Sequence, residues 1–428
     1  MSLAKYFASA GLAFVATSVS MFPAGCDTDR NIDPPNKSFF INYYGGNGNQ
    51  SAVDMIPGDD GSILLLGNWQ ADRTQSRIYL VNVNAEGKII WERKLGSSQD
   101  KAKDIEKTPD GNFIIVSDNS SGTSTDIKLL RVSPAGVKLD SAVYGSPGDE
   151  IAKTVTPLLD GGFIVTGATE YDTTKLLNPT NPDDLSDIFH YRCNSNLVFD
   201  KFTWYEQYGP GTLDIGTKVI QNSPDQFYVF GSSNQTHEGK DGSALNLLYY
   251  AIGSGGIIQE LNFLGDFDND TESAFVMEVP SSLGGGIFVA GTETTPSGSI
   301  NLHVSKLRSP LQFNAVNDEL FDRSIPIESR KLSPVAATPS LSDTQGYLLL
   351  GNEIQDDGSN NIWLSKIEQG SGSILWSASF GSDEENDTGA AVYQYPDGRI
   401  ILLGTIGLIN NQTKMVLMKL NSTGQLME

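Results

Sequence analysis

The sequence predicts an all-β protein: a seven-bladed β-propeller of four-stranded antiparallel blades, its ring closed by the N-terminal strand. Three observations predict it. A unit of four short strands recurs from Ser38 to the C-terminus. Its hairpins turn on Asp-Gly and Gly-Gly pairs, where the chain must adopt backbone angles that glycine tolerates best. No amphipathic helical period follows the first 25 residues.

The second unit is the plainest. Trp91-Glu92-Arg93-Lys94-Leu95-Gly96 is followed by Ala102-Lys103-Asp104-Ile105. The turn Pro109-Asp110-Gly111-Asn112 then leads into the apolar run Phe113–Val116, and Ile127–Val132 ends at the turn Pro134-Ala135-Gly136. The turn and apolar run recur at Asp59–Leu64, Asp160–Val165, Pro224–Val229, Gly284–Val289, Gln345–Leu350 and Pro396–Ile401. Each run is expected to end at Gly67, Ser117, Gly167, Gly231, Gly291, Gly351 and Gly404, giving seven units spaced 50, 50, 64, 60, 60 and 53 residues apart. Repeats of this length with four strands each are propeller blades. Continuous apolar runs fit strands covered on both faces by neighbouring blades. The last unit supplies only three strands, ending in Met415–Leu420, while Ser38–Gly45 is a strand with no blade before it. The two should complete one blade and remove the free edges. A parallel β-helix is the competing fold; its period is shorter and it needs distinct caps.

Residues 1–25 read as a secretory signal. Lys5 precedes an uncharged apolar and small-residue stretch, Gly11–Phe22, too short for a comfortable membrane span. It ends at Pro23-Ala24-Gly25-Cys26, which resembles the lipobox of bacterial lipoproteins and implies lipidation at Cys26; an aliphatic residue is usual where Pro23 stands. Residues 26–37 are polar, acidic and proline-containing, the composition of a flexible tether, and residues 38–428 form the propeller. The acidic stretch after Cys26 resembles the signal that sends Bacteroidota-type lipoproteins to the outer leaflet. That implies an outer-membrane location, lipid-anchored and surface-exposed.

The chain has 29 basic and 52 acidic residues, a net charge of −23. Such a surface repels phosphate backbones and anionic lipid, so nucleic acid is not an expected partner and the membrane link should come from the lipid. With Cys26 acylated, Cys193 has no partner for a disulfide, and the core must be held by hydrophobic burial. Cys193 is expected to be a buried, inert thiol.

Asp160-Gly161-Gly162-Phe163, Gly87-Lys88-Ile89-Ile90-Trp91 and Gly372-Ser373-Ile374-Leu375-Trp376 resemble a widespread class of bacterial propeller repeats, and the last two are similar to the Trp-docking motif of quinoprotein-like propellers. The resemblance covers nearly all of the chain after the tether and implies a fold, not an activity. The Asp boxes of sialidases and the vicinal cysteines of quinoprotein dehydrogenases are absent from the sequence. His190, His237 and His303 have no metal-ligand spacing, and no serine or cysteine nucleophile motif is present.

The expected function is therefore binding without chemistry. With strands a to d running outward from the axis, the a–b and c–d turns share one face and look short. The b–c and d–a loops share the other and look variable, so that face is the expected binding surface. The candidate contacts are Trp69, read as lying outside the strand pattern, and Tyr171, Asp184 and Asp187 in the longest loop, Ala168–Ile188. The expected partner is a protein of an outer-membrane complex, to which the chain would be an accessory subunit, or a surface glycan. No resident cofactor is expected. Asp266, Asp268, Asp270 and Glu272 alternate along one loop as candidate oxygen ligands for a structural Ca²⁺, although the loop lacks the glycine and distant glutamate of an EF-hand. Two alternatives stay open: a carboxylate-dependent glycan hydrolase or lyase acting in the pore, and a scaffold with no small ligand.

Overall fold

A computed structural model describes residues 39–72, 75–120, 122–146, 148–170, 186–199, 205–209, 213–235, 244–265, 268–313, 318–327, 331–343, 346–355, 357–382, 385–408 and 412–426. The signal segment, Cys26 and the tether lie outside these residues. Within them, twenty-eight strands make seven four-stranded antiparallel sheets, the predicted propeller.

The first strand, β1 (Phe40–Tyr44), belongs to the last blade. Blade 1 is β2 (Asn49–Pro57), β3 (Ile63–Asp72), β4 (Gln75–Val83) and β5 (Ile89–Leu95). Blade 2 is β6 (Asp100–Lys107), β7 (Phe113–Asn119), β8 (Asp126–Val132) and β9 (Lys138–Tyr144). Blade 3 is β10 (Glu150–Pro157), β11 (Phe163–Thr169), β12 (Asp187–Cys193) and β13 (Tyr205–Tyr208). Blade 4 is β14 (Asp214–Ser223), β15 (Gln226–Ser233), β16 (Asn246–Gly253) and β17 (Ile258–Leu264). Blade 5 is β18 (Asp270–Glu278), β19 (Ile287–Thr294), β20 (Ile300–Leu307) and β21 (Glu319–Ile325). Blade 6 is β22 (Lys331–Pro339), β23 (Gly346–Ile354), β24 (Asn360–Glu368) and β25 (Ile374–Phe380). Blade 7 is β26 (Thr388–Gln394), β27 (Ile400–Leu408) and β28 (Gln412–Leu420), with β1 paired antiparallel to β28 from Phe40↔Lys419 to Tyr44↔Met415.

Burial follows the predicted pattern. The b and c strands pack between blades: Leu64, Leu66, Ile78 and Leu80 of blade 1 join Ala102, Ile105, Ile115 and Leu130 of blade 2 in one cluster. The outer strands are largely solvated, as β5 shows.

The repeated glycines of the b strands have a different cause from the one expected. They do not end their strands; Gly67, Gly167 and Gly291 lie within β3, β11 and β19. A Cβ on Gly167 would come within 2.1 Å of the Ile151 carbonyl oxygen, and one on Gly291 within 2.1 Å of that of Glu272. Every innermost strand carries a bulge at this level, after Ala52, Ala102, Ala152, Gly216, Ser273, Pro334 and Gly389. The bulge presses an inner-strand carbonyl onto the b strand, so the repeat preserves a close approach rather than a turn.

The residue after this b-strand position ties blade to blade. Ala102 N donates to Asn68 Oδ1 at 2.7 Å, Ala152 N to Asp118 Oδ1 at 3.1 Å, Ser273 N to Ser232 Oγ at 2.7 Å, Gly389 N to Asn352 Oδ1 at 2.8 Å and Ala52 N to Thr405 Oγ1 at 2.9 Å. Next to the bulge the amide faces the preceding blade, where a polar side chain satisfies it. At blade 6 the position is Pro334, which has no N–H to satisfy.

The expected contrast between the two faces is only partly present. On the b–c and d–a face the variation lies in the b–c connections, the longest running from Thr169 to Asp187, while the d–a connections are short in every blade. The other face is not uniformly short: the c–d connections from Cys193 to Tyr205 and from Leu307 to Glu319 are long.

Candidate functional site

The seven innermost strands line an axial channel with two chambers. The larger, about 620 Å³, opens towards the b–c and d–a face and is lined by the first halves of these strands. The smaller, about 460 Å³, opens towards the turn face. The first paired residue after each bulge sets the level of the waist: Asp54, Asp104, Thr154, Phe275 and Ala336 line both chambers, while Lys218 and Ala391 at the same register line the smaller.

The waist charges are compensated. Lys218 Nζ is 2.8 Å from Glu106 Oε1 and 4.0 Å from Asp104 Oδ2. Asp104 also accepts from Val155 N at 2.8 Å and Ile105 N at 3.0 Å, and Asp54 accepts from Met55 N at 2.7 Å. Burial, with Asp104 and Glu106 nearby, holds the Asp54 carboxyl well above the usual carboxylate range. Burial likewise raises Asp104, against the opposing pull of Lys218. Asp104 adds to the burden on Asp54, because a second carboxyl nearby in a buried site disfavours ionisation.

The mouth of the larger chamber is different. Its walls include Val53, Ile151, Ile215, Val335 and Phe275, and its charged residues are Lys103, Lys153 and Glu272. Lys103 is paired with Asp118 at 2.9 Å. Lys153 and Glu272 make no ion pair or hydrogen bond among the described residues. Both are exposed in the channel; the surrounding walls push the Lys153 ammonium down, with Glu272 opposing and Lys103 adding to the shift. Lys153 is itself the bulged residue of β10, and bulges re-aim side chains in this way.

Of the predicted contact residues, the two described ones lie on separate blades, Trp69 in blade 1 and Asp187 in blade 3. Trp69 lies inside β3, not outside the strand pattern. It is half-buried, its indole N–H donates to Asn47 O at 2.7 Å, and Lys94 Nζ sits 3.5 Å from the ring centroid. Asp187 is not a loop residue: it opens β12, is buried, and packs against Gly209. Tyr171 and Asp184 fall outside the described residues.

Of the predicted cation ligands, Asp266 also lies outside them. Asp268 is exposed, Asp270 opens β18 and accepts from Leu245 N at 2.9 Å, and Glu272 lines the channel. Among the described residues no group of three His, Cys, Asp or Glu could hold a metal. Asp270 and Glu272 lie on β18, whose extended backbone spreads side chains along the strand. Acidic residues near the d–a connections serve the backbone. Asp100 Oδ2 accepts from Ser97 N at 2.6 Å, Glu150 Oε2 from Ser146 N at 2.9 Å, and Asp387 from Ser382 N at 2.9 Å and Gly407 N at 2.8 Å.

One cluster escaped the sequence reading. His303 Nε2 lies 2.8 Å from Ser305 Oγ and 3.1 Å from Asp322 Oδ1, and Ser305 Oγ donates to Asp322. It is not a catalytic triad, because serine and aspartate meet the same ring nitrogen and the imidazole cannot relay between them. His303 and Ser305 are also buried from any substrate. His190 is buried beside Tyr250, and burial pushes its imidazole down to about 4.

No protein-family profile matches the chain, and no curated protein matches it. Solved structures do. A chain of Kuenenia stuttgartiensis hydrazine synthase is similar with 10% identity and a TM-score of 0.50, over 85% of this chain and 94% of that one. Pyrococcus horikoshii acylaminoacyl peptidase has 10% identity and a TM-score of 0.48, over 89% of this chain and 53% of that one. The β-propeller domain of the Trilobed protease from Pyrococcus furiosus has 8% identity and a TM-score of 0.47, over 89% and 98%. At these identities the likeness is one of fold; the class of protein, the β-propeller, is defined by the seven four-stranded sheets themselves.

Proposed function

We propose that the chain is an exported, lipid-anchored surface protein whose propeller binds a protein partner or a glycan and does no chemistry. The observation that carries this is where the chain enters the fold. β1 runs from the turn face, where Phe40 pairs with Lys419, to the opposite face. The tether, residues 26–37, spans about 40 Å at full stretch, so lipid on Cys26 would hold the turn face towards the membrane. The larger chamber and the b–c loops then point outward. Exposed aliphatic side chains where the outer strands leave the c–d turns, among them Ile90, Leu139, Ile257 and Leu375, suit a face lying close to lipid. The reading without chemistry draws support from the waist, where Asp54 and Asp104 accept hydrogen bonds from backbone amides and Lys218 lies against Asp104.

The test has two steps. Cys26→Ser should move the protein from the membrane to the soluble fraction; retention in the membrane would refute the anchor. A C-terminally tagged chain, recovered from gently solubilised outer membranes, should then bring down a stoichiometric partner or bind a glycan array, with Trp69→Ala as a variant. Recovery alone, with an empty array, would refute partner or glycan binding.

A further inference from the structure

We propose that the larger channel chamber is a binding site for a small zwitterion of amino-acid type with an apolar side chain, Lys153 pairing with its carboxylate and Glu272 with its ammonium. This site does not depend on the lipid anchor or on a macromolecular partner.

Four observations lead to it. The chamber, at about 620 Å³, has the size of small-molecule sites. Its walls are largely aliphatic, with Phe275 at the waist. Every other charge facing it has a partner: Lys103 has Asp118, Asp104 has Lys218 and two backbone amides, and Asp54 has the Met55 amide. Lys153 and Glu272 alone stand without an ion pair among the described residues, carry opposite signs, and belong to β10 and β18, two blades apart. Glu272 is the carboxylate that acts on Lys153 electrostatically, yet the two stay beyond ion-pair distance.

Two unpaired opposite charges across an apolar chamber are complementary to a molecule that carries both charges on one end. A simple carboxylate would leave Glu272 unpaired beside it, and a simple amine would leave Lys153 so. Both side chains are exposed in the channel, so the cost arises when a bound ligand displaces water from a charge that it leaves unmatched, and that cost is the source of selectivity.

The test is calorimetric titration of the whole chain carrying Cys26→Ser with L-leucine, L-phenylalanine, 4-methylpentanoate and 3-methylbutylamine. At least one amino acid should bind, and the singly charged analogues should bind at least about tenfold more weakly. Lys153→Met and Glu272→Gln should each weaken amino-acid binding by a similar factor, while Lys153→Arg, which keeps the cation, should retain it. Unchanged melting curves would exclude misfolding of the variants; if Lys153→Met misfolds, Glu272→Gln and Lys153→Arg carry the test. Three results would overturn the proposal: no binding by either amino acid, equal binding by 4-methylpentanoate, or amino-acid affinity indifferent to both Lys153→Met and Glu272→Gln.

Discussion

Replacing Lys218 by methionine should destabilise the propeller by about 2–4 kcal/mol at neutral pH, and by progressively less as the pH falls. Lys218 lies against Glu106 and within reach of Asp104, with Asp54 beside them. Removing one partner of a fully buried ion pair costs about 3–5 kcal/mol. The Glu106 side chain is 38% exposed in the channel, so water screens part of that loss and brings it to about 2–4 kcal/mol. The pH dependence follows from the carboxyls. Burial raises both Asp54 and Asp104, and Lys218 restrains the rise at Asp104. A carboxyl whose folded value is raised stabilises fully below its ordinary value near 4, and loses that contribution as the pH rises through the folded value. Without Lys218 the folded value of Asp104 rises further. The deficit should therefore open between about pH 4 and neutrality and close in acid, where the carboxyls are protonated in folded and unfolded chains alike. Urea unfolding followed by tryptophan fluorescence from pH 4.5 to 8 would measure it, with Asp104→Asn alone and combined completing a double-mutant cycle. A deficit under about 0.5 kcal/mol, one independent of pH, or strict additivity with Asp104→Asn would refute the compensated waist.

The blade ties give a second prediction: Asn68→Ala and Asn352→Ala should each cost about 1–3 kcal/mol by leaving a buried amide unsatisfied, whereas Thr292→Ala, facing Pro334, should stay within about 0.5 kcal/mol; equal effects by urea titration would remove the ties' role. Cys193 is buried and its thiol is pushed up to about 12, so in the Cys26→Ser chain it should react with Ellman's reagent only at the unfolding rate, and rapid reaction in native buffer would contradict that placement. On intact cells, an epitope inserted in the β7–β8 connection should be reached by antibody more readily than a C-terminal epitope on the turn face; the reverse order would invert the proposed orientation.

The fold was legible because a propeller repeats its own constraints. Apolar b and c strands, Asp-Gly turns and the orphan strand at Phe40–Tyr44 each record a local requirement, and the register of β1 on β28 bears the closure out. The glycine positions were legible too, but their cause was not: a glycine pressed by a neighbouring carbonyl reads in sequence like one ending a strand. The polar residue after it, as in Gly67-Asn68, Gly231-Ser232, Gly351-Asn352 and Gly404-Thr405, was a readable signal that passed unused. The channel was not legible at all. Asp54, Asp104 and Lys218 meet only because seven bulges set the same level in seven strands, and Ser305 meets Asp322 only through the β20–β21 pairing. Where the loops end was illegible for a related reason. Asp187 and Asp270 look like surface acids, yet strands begin at them.

The two channel lysines separate structure from function because the same substitution should lower stability at one and leave it unchanged at the other. Lys218→Met strips a cation from carboxylates that need it and lowers stability. Lys153 has no such partner, and its side chain is exposed in the channel, so the free protein gains nothing from its charge. Lys153→Met should therefore leave the free protein's stability within about 0.5 kcal/mol, while weakening zwitterion binding at least about tenfold. A charge that faces the chamber and gains nothing within the fold is best explained by what it binds, and the same urea titrations decide it. If Lys153→Met destabilises as Lys218→Met does, Lys153 is a structural cation and the chamber loses the charge on which its ligand was argued.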